Sequence, residues 1–368
     1  MFRLLAPGCR AIPLLLGALC SMATAAPVRL QDMHGNTVVL AQPARKTVTL
    51  PMPASAIFAA VDGGPQGLAG MHPSAHDNLG TMLLPQIYPA FAQVRHDITR
   101  GGFSPNVESL LQIQPDIVWQ WGHMGDELVK PLHAAGLTAA TINYGKEENV
   151  RRWISLFAES VGKPERGRTL NQWREQMERK VRQQVAAVPA SQRLKVLYLT
   201  RYKTGLAAAG FSSNFQFDAE VAGGINANTL KVAAPTINIE QLLLWNPDVI
   251  MLTNFERGLT PATLFADPLL ADISAVRNKR VYKVPAGGYY WDPPSQDSPL
   301  YWVWLAKLLY PDAVQLDLRQ EMRAAYRLLY DFAPSDAQID QVLHSTTNQQ
   351  SAHYQRAFAP ATPVAKKP

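Results

Sequence analysis

Residues 106–118 read NVESLLQIQPDIV, and residues 238–250 read NIEQLLLWNPDVI. They align without a gap, 132 residues apart, with six identities: Asn106/Asn238, Glu108/Glu240, Leu110/Leu242, Leu111/Leu243, Pro115/Pro247 and Asp116/Asp248. An in-register match of this kind points to a duplicated unit and hence to two similar lobes. In each copy the Asn is placed to cap a helix and the leucine pair to face a core. Pro then stops the helix, Asp turns the chain, and a β-branched run enters a buried strand.

Working outward, the chain alternates strand and helix signals on both sides of each copy. Residues 28–40 alternate apolar and polar around His34-Gly35-Asn36, a β-hairpin pattern. Short apolar runs at 47–50, 67–71, 117–119 and 138–142 read as buried strands, separated by helical stretches at 55–61, 128–135 and 149–161. The second half repeats this alternation with strands at 194–200, 249–252 and 280–284. The pattern predicts two α/β lobes. Between them, 164–188 carries Leu170, Trp173, Met177, Val181 and Val185 at helical spacing. At 1.5 Å per residue that helix is roughly 35 Å long, about the width of a small domain.

The bulk numbers agree with two domains. The chain has 368 residues, 47 % hydrophobic and 17 % charged, with a net charge of +6. That length exceeds what one core usually serves. The positive charge is spread without a dense Lys/Arg block, which argues against a nucleic-acid partner. At the N-terminus, Arg3 and Arg10 precede the apolar run 11–19, and Ala23-Thr24-Ala25 supplies small residues for cleavage. This is the pattern of an export signal with mature residues from about Ala26. The apolar run is too short for a permanent membrane span. Cys9 and Cys20 are the only cysteines and both lie in this signal, so the mature chain is expected to hold no disulfide, cysteine metal ligand or cysteine nucleophile. Leu19 is too large for the residue before a lipidated cysteine, so Cys20 is not expected to carry lipid.

No dinucleotide, P-loop, zincin or nucleophile-elbow motif is present, and no paired acid and base stands out. No catalytic residue, cofactor or structural metal is therefore assigned. A two-lobed enzyme with a cleft active site stays open as the reading of a different class. His72 and His76 have helical metal-ligand spacing, but Pro73 between them argues for ordinary loop histidines. The loops beyond the strand ends are richer. In open α/β sheets ligands sit at the carboxyl ends of the strands, and clefts between lobes are favoured pockets. Trp121, His123, Arg201, Tyr202, Arg257, Tyr289, Tyr290 and Trp291 are predicted there as ligand contacts. The aromatics would form flat apolar walls and the arginines would pair with anionic groups.

The shared pattern N-[VI]-E-x-L-L-x-x-x-P-D-[IV]-[VI] resembles that of the periplasmic substrate-binding proteins of ABC importers for ferric siderophores, haem and cobalamin. So do residues 222–226 (AGGIN), 267–270 (DPLL) leading to 275–282 (AVRNKRVY), and 305–311 (LAKLLYP). The resemblance runs from about Val28 to Phe332. It implies two Rossmann-like lobes joined by one long rigid helix, with the ligand cleft between them. The boundaries expected are a signal at 1–25, an N-terminal lobe at 26–162, the interdomain helix at 163–188, a C-terminal lobe at 189–345 and a tail at 346–368, disordered from Phe358. It also implies a monomeric periplasmic protein that captures a metal chelate, a ferric siderophore first, and delivers it to an ABC importer permease in the inner membrane. Haem, cobalamin and an oxyanion such as molybdate remain open. So does free metal, for which His72, His76, His123 and His133 are the available nitrogens. On the resemblance, Glu108 and Glu240 dock with permease arginines. The residues alone also allow each Glu to complete a capping box on its own helix.

Overall fold

The computed structural model describes residues 26–360. The signal expected at 1–25 and the end of the tail, 361–368, lie outside the described residues. Each lobe is built on a parallel sheet. In the first, the strands run in the order Leu68–Met71, Thr47–Thr49, Ile117–Trp121, Ala139–Ile142, with every neighbouring pair parallel. In the second, Lys195–Arg201 and Val281–Lys283 flank Val249–Leu252 in parallel. Ala207–Ala208 closes one edge antiparallel, and Ile225–Asn226 also pairs with Lys195–Arg201. The hairpin Val28–Gln31 and Thr37–Leu40 forms as expected.

The repeated stretch does the same job in both lobes. Its helices, Val107–Ile113 and Ile239–Trp245, close on the left-handed residues Gln114 and Asn246, one position before the prolines. Its aspartates then hold the strand starts. Asp116 Oδ2 accepts the Arg45 and Lys46 amides at 2.7 and 2.9 Å, and Asp248 Oδ2 accepts the Lys195 amide at 2.8 Å. One expectation is corrected. Leu110 and Leu242 are fully buried, but their neighbours Leu111 and Leu243 are 48 % and 39 % exposed. Consecutive helical residues are about 100° apart, and these helices are only two turns long, so one leucine of each pair reaches a core.

The helix Pro164–Val185 joins the lobes. A single apolar core runs from Phe58, Trp153 and Phe157 of the first lobe through Leu170, Met177 and Val181 of this helix to Trp302 and Tyr326 of the second. Two arginines of the helix tie the lobes together. Arg166 donates to the carbonyls of Ala60 (2.9 Å), Leu328 (2.6 Å) and Leu329 (3.1 Å). Arg174, with no exposed surface, forms a two-pronged bond to Glu147 at 2.8 and 2.6 Å and donates to the Ser295 carbonyl at 2.8 Å.

Other local readings shift. Pro73 sits at the first position of a helix, Pro73–Leu79, where its missing N–H is no loss. His76 is therefore on a helix and stacks on His96 at 4.0 Å. His72 caps that helix, with Nδ1 accepting the Ser74 amide and Nε2 against the Gly102 carbonyl. Residues 346–358, counted with the tail in the sequence reading, pack into the second lobe. Tyr354 and Phe358 are buried in a helix, Tyr354–Phe358, that lies against Trp304. No helix among the described residues is long and apolar enough to cross a membrane.

Candidate ligand cleft

The carboxyl ends of both sheets open on one cleft. It holds two cavities, of about 490 and 210 Å³, that share Tyr144, Phe255 and Pro293 as a partition. The larger lies over the C-terminal end of the strand Lys195–Arg201 and is lined by Tyr198, Thr200, Arg201, Thr204 and Asp292. The smaller is walled by Met52, Pro53, Phe103, Trp121, His123 and Tyr289.

Trp121 is the centre of the smaller cavity. The strand continues to this residue rather than ending at Trp119, which brings its ring to the carboxyl end of the sheet. Phe103, His123 and Tyr144 stand edge-on to it at 5.9, 5.1 and 5.9 Å. Its Nε1–H and the Tyr289 hydroxyl are buried without a hydrogen-bond partner among the described residues. Buried donors of this kind are uncommon, and a bound acceptor would satisfy them. Burial and the charge of His34 push the His123 imidazole toward its neutral form. Neutral imidazole can accept a hydrogen bond or donate an electron pair to a metal.

The loops are stiffened from below. Glu256 accepts the backbone amides of Tyr202, Lys203 and Thr204 at 2.9–3.1 Å and the Thr204 hydroxyl at 2.6 Å. These bonds to the charged form hold its carboxyl below the ordinary range against the opposing effect of burial, which is the largest single influence on it. The staple fixes the turn that follows Arg201 to the loop that carries Phe255. Beneath that loop, the buried Lys283 ammonium donates to the Thr253 and Glu256 carbonyls. Burial pushes this amine down to about 8, with Asp292 and Glu256 pulling it back up.

The eight residues expected to meet the ligand separate into three groups. Trp121, His123 and Tyr289 line the smaller cavity, and Arg201 lines the larger. Arg257 and Tyr290 bridge the lobes instead: Arg257 donates to the Asp77 carbonyl at 3.0 Å and the Tyr290 hydroxyl to Asn78 Oδ1 at 3.3 Å. Tyr202 turns to Asp267, and Trp291 is buried with its Nε1–H on Asp297 at 3.2 Å. Residues 289–298 are all buried, so this stretch is a packed segment rather than an open loop. Tyr144, Tyr198 and Phe255 carry no sequence signal that singles them out, and Asp292, which reads in sequence as a cap or turn residue, lines the larger cavity instead. Tyr198 lies within an apolar strand, and period-2 alternation was the only signal that could have turned it away from the core.

Two α/β lobes, one connecting helix and a cleft at the strand ends define a two-lobed solute-binding protein. A family model described as periplasmic binding protein matches residues 93–287, and the chain belongs to that family. It is similar to a periplasmic solute binding protein from Veillonella parvula, with 29 % identity and a TM-score of 0.80 over 88 % of this chain and 98 % of that one. It is 25 % identical over 258 residues to the molybdate-binding protein MolA of Haemophilus influenzae, covering 64 % of this chain and 73 % of the relative. The structure of MolA bound to molybdate aligns with a TM-score of 0.73 at 22 % identity over 83 % of this chain and 99 % of that one. Helicobacter pylori CeuE with Ni-His shares the fold at 18 % identity, with a TM-score of 0.70 over 86 % and 99 %.

Proposed function

We propose that this protein captures a metal chelate in the periplasm, a ferric siderophore before other chelates, and delivers it to the permease of an ABC importer without chemical turnover. The size and walls of the cleft carry the reading. A cavity of about 490 Å³ with an aromatic annex of about 210 Å³ suits a drug-sized ligand. A five-atom oxyanion fills a volume on the order of a few waters, about 30 Å³ each. Aromatic rings offer flat apolar walls to the organic part of a chelate, and the orphan donors of Trp121 and Tyr289 suit its carbonyl or hydroxamate oxygens. Among the described residues His123 is the one imidazole lining the two cavities, and no three His, Cys, Asp or Glu side chains are grouped to hold a metal ion, so a metal would have to bring most of its own ligands.

A second reading, an oxyanion, is favoured by the molybdate-binding relative and by Arg201, Thr200 and Thr204 on one wall. Titration of tryptophan fluorescence with ferrioxamine B and with molybdate separates the two. Saturable quenching by the ferric complex, recovered unaltered, is expected. Tight molybdate binding without chelate binding, or conversion of the chelate to a product, refutes the proposal.

For docking, the support lies in what the two glutamates do not do. Glu108 and Glu240 are exposed at the second position of equivalent helices, and neither has a hydrogen bond or ion pair among the described residues. The capping box at Asn238 uses Gln241, one residue further on. In the first copy the Asn106 amide is bonded to Asp97 and to Ser109, the residue at the corresponding position. Both carboxylates are left for a partner, beside the exposed Leu111 and the exposed pair Leu243 and Leu244. A polar rim around apolar residues is the usual make-up of a transient interface.

A further inference from the structure

We infer that Asp292 selects the cargo by charge: the end of the ligand that enters the larger cavity carries a hydrogen-bond donor or a positive charge, which makes the cargo a cationic or dipolar chelate and disfavours a bare oxyanion. The inference rests on the cleft being the ligand site, as proposed above.

Among the described residues, Asp292 and Arg201 are the only ones lining the larger cavity that carry a formal charge. Arg201 is exposed at the end of its strand, whereas Asp292 is buried. Asp292 Oδ2 receives the Tyr198 hydroxyl at 2.5 Å, the Asn254 amide at 3.1 Å and the Thr253 hydroxyl at 3.4 Å. Oδ1 receives only the Asn254 side-chain amide, at 3.3 Å. Every bond to this side chain comes from a donor, and Oδ1 keeps acceptor capacity. The Tyr198 proton is committed to Asp292, which leaves the phenol oxygen with lone pairs rather than a hydrogen to offer. Asp292 Oδ1 and the Tyr198 oxygen therefore both offer acceptors to the cavity, which Thr200, Arg201 and Thr204 also line. The buried Lys283 donates to the Thr253 and Glu256 carbonyls and makes no hydrogen bond to Asp292 among the described residues. An anion placed in the cavity would meet a like charge in a site of low dielectric, whereas an ammonium, an amide N–H or a metal-bound water would complete the carboxylate's hydrogen bonds. Arg201 at the rim then favours a ligand whose outer part is anionic or rich in acceptors.

The test uses ferrioxamine B, a ferric trihydroxamate with a pendant ammonium, its N-acetylated derivative with the same iron core and no such charge, and molybdate. Affinities of the intact mature protein are measured by fluorescence titration. The wild type is expected to bind ferrioxamine B about tenfold or more tighter than the acetylated complex, and both more tightly than molybdate. In Asp292→Asn the preference for the ammonium disappears and molybdate binding strengthens. If Asp292 only holds its loop in place, the substitution weakens every probe alike and leaves their ratio unchanged, and that result overturns the inference. Equal affinity of the wild type for the two ferric complexes overturns it without any variant. Failure of the wild type to bind either complex overturns the chelate reading, and the inference falls with it.

Discussion

Arg174→Met tests how the two lobes are held together. The guanidinium lies with no exposed surface between Glu147, itself 4 % exposed, and the carbonyls of Ser295 and Gln296, with its Cζ 5.8 Å from the centroid of the Trp302 ring. The residue thus connects the first lobe, the connecting helix and the second lobe at one point. Methionine fills a similar volume but leaves Glu147 buried with only Arg151, at 3.1 Å, as its charged partner. Removing one member of a buried pair costs about 3–5 kcal/mol, because the other charge is left uncompensated. Unfolding entropy of about 2.1 cal/mol/K per residue gives about 0.7 kcal/mol/K for a chain of this length, so the melting temperature should fall by about 4–7 °C. The double variant Arg174→Met/Glu147→Gln removes both charges and should lose less than the single one. The comparison is made by differential scanning calorimetry at one pH. A melting temperature within about 1 °C of wild type would refute the clamp. So would a double variant whose loss equals the sum of the two single losses, since that would mean the two charges do not interact.

Burial pushes the Asp218 carboxyl up to about 8, while the Trp302 indole (2.7 Å) and the Asn214 amide (2.9 Å) pull it back. An unfolded aspartic acid titrates near 3.9, so between about pH 4 and pH 8 the native state holds a proton that the unfolded state has lost. This group's contribution to stability is complete below about pH 4 and is lost as the pH rises toward 8. Melting temperatures of the wild type are expected to fall across that window and those of Asp218→Asn to fall less; equal slopes would sink the assignment. Leu110→Ala should lower stability by about 2–4 kcal/mol in denaturant titrations, as burial predicts, whereas Leu111→Ala should stay within about 0.5 kcal/mol. Equal losses would contradict the assignment of one leucine to the core and one to the surface. Glu108→Ala combined with Glu240→Ala should leave ligand affinity intact and lower uptake through the importer, and normal uptake would remove both residues from the docking surface.

The alternation of apolar runs with amphipathic stretches, and a motif repeated at a fixed offset, were enough to determine two α/β lobes with one helix between them. These are local signals: side-chain periodicity reports which face of an element is buried, and the prolines and glycines mark where elements stop. The repeat also located Glu108 and Glu240 on equivalent helices, although only the structure shows a capping box at Asn238 and Gln241 and no side-chain cap bond at Asn106. The cleft was legible only as a neighbourhood. Trp121, His123, Tyr289 and Arg201, expected as ligand contacts from their places beyond the strand ends, line its cavities. Tyr198 was not expected there, since whether a strand residue faces the core or the cleft depends on what the other lobe places opposite it, and Asp292 reads in sequence as a cap or turn residue while the fold puts it against the cleft. Trp291 and Tyr202 show the converse: their positions suited ligand contact, but Asp297 and Asp267, which read in sequence as cap or turn residues, hold their polar tips within the second lobe. Arg174 is the clearest case. On a charge-rich helix it reads as a solvated residue, and only tertiary packing, which brings Glu147 and residues 295–296 to the same point, makes it the buried tie between the lobes. Periodicity is a property of neighbours along the chain, whereas the pairing of buried charges and the lining of a cleft are set by segments that meet only after folding.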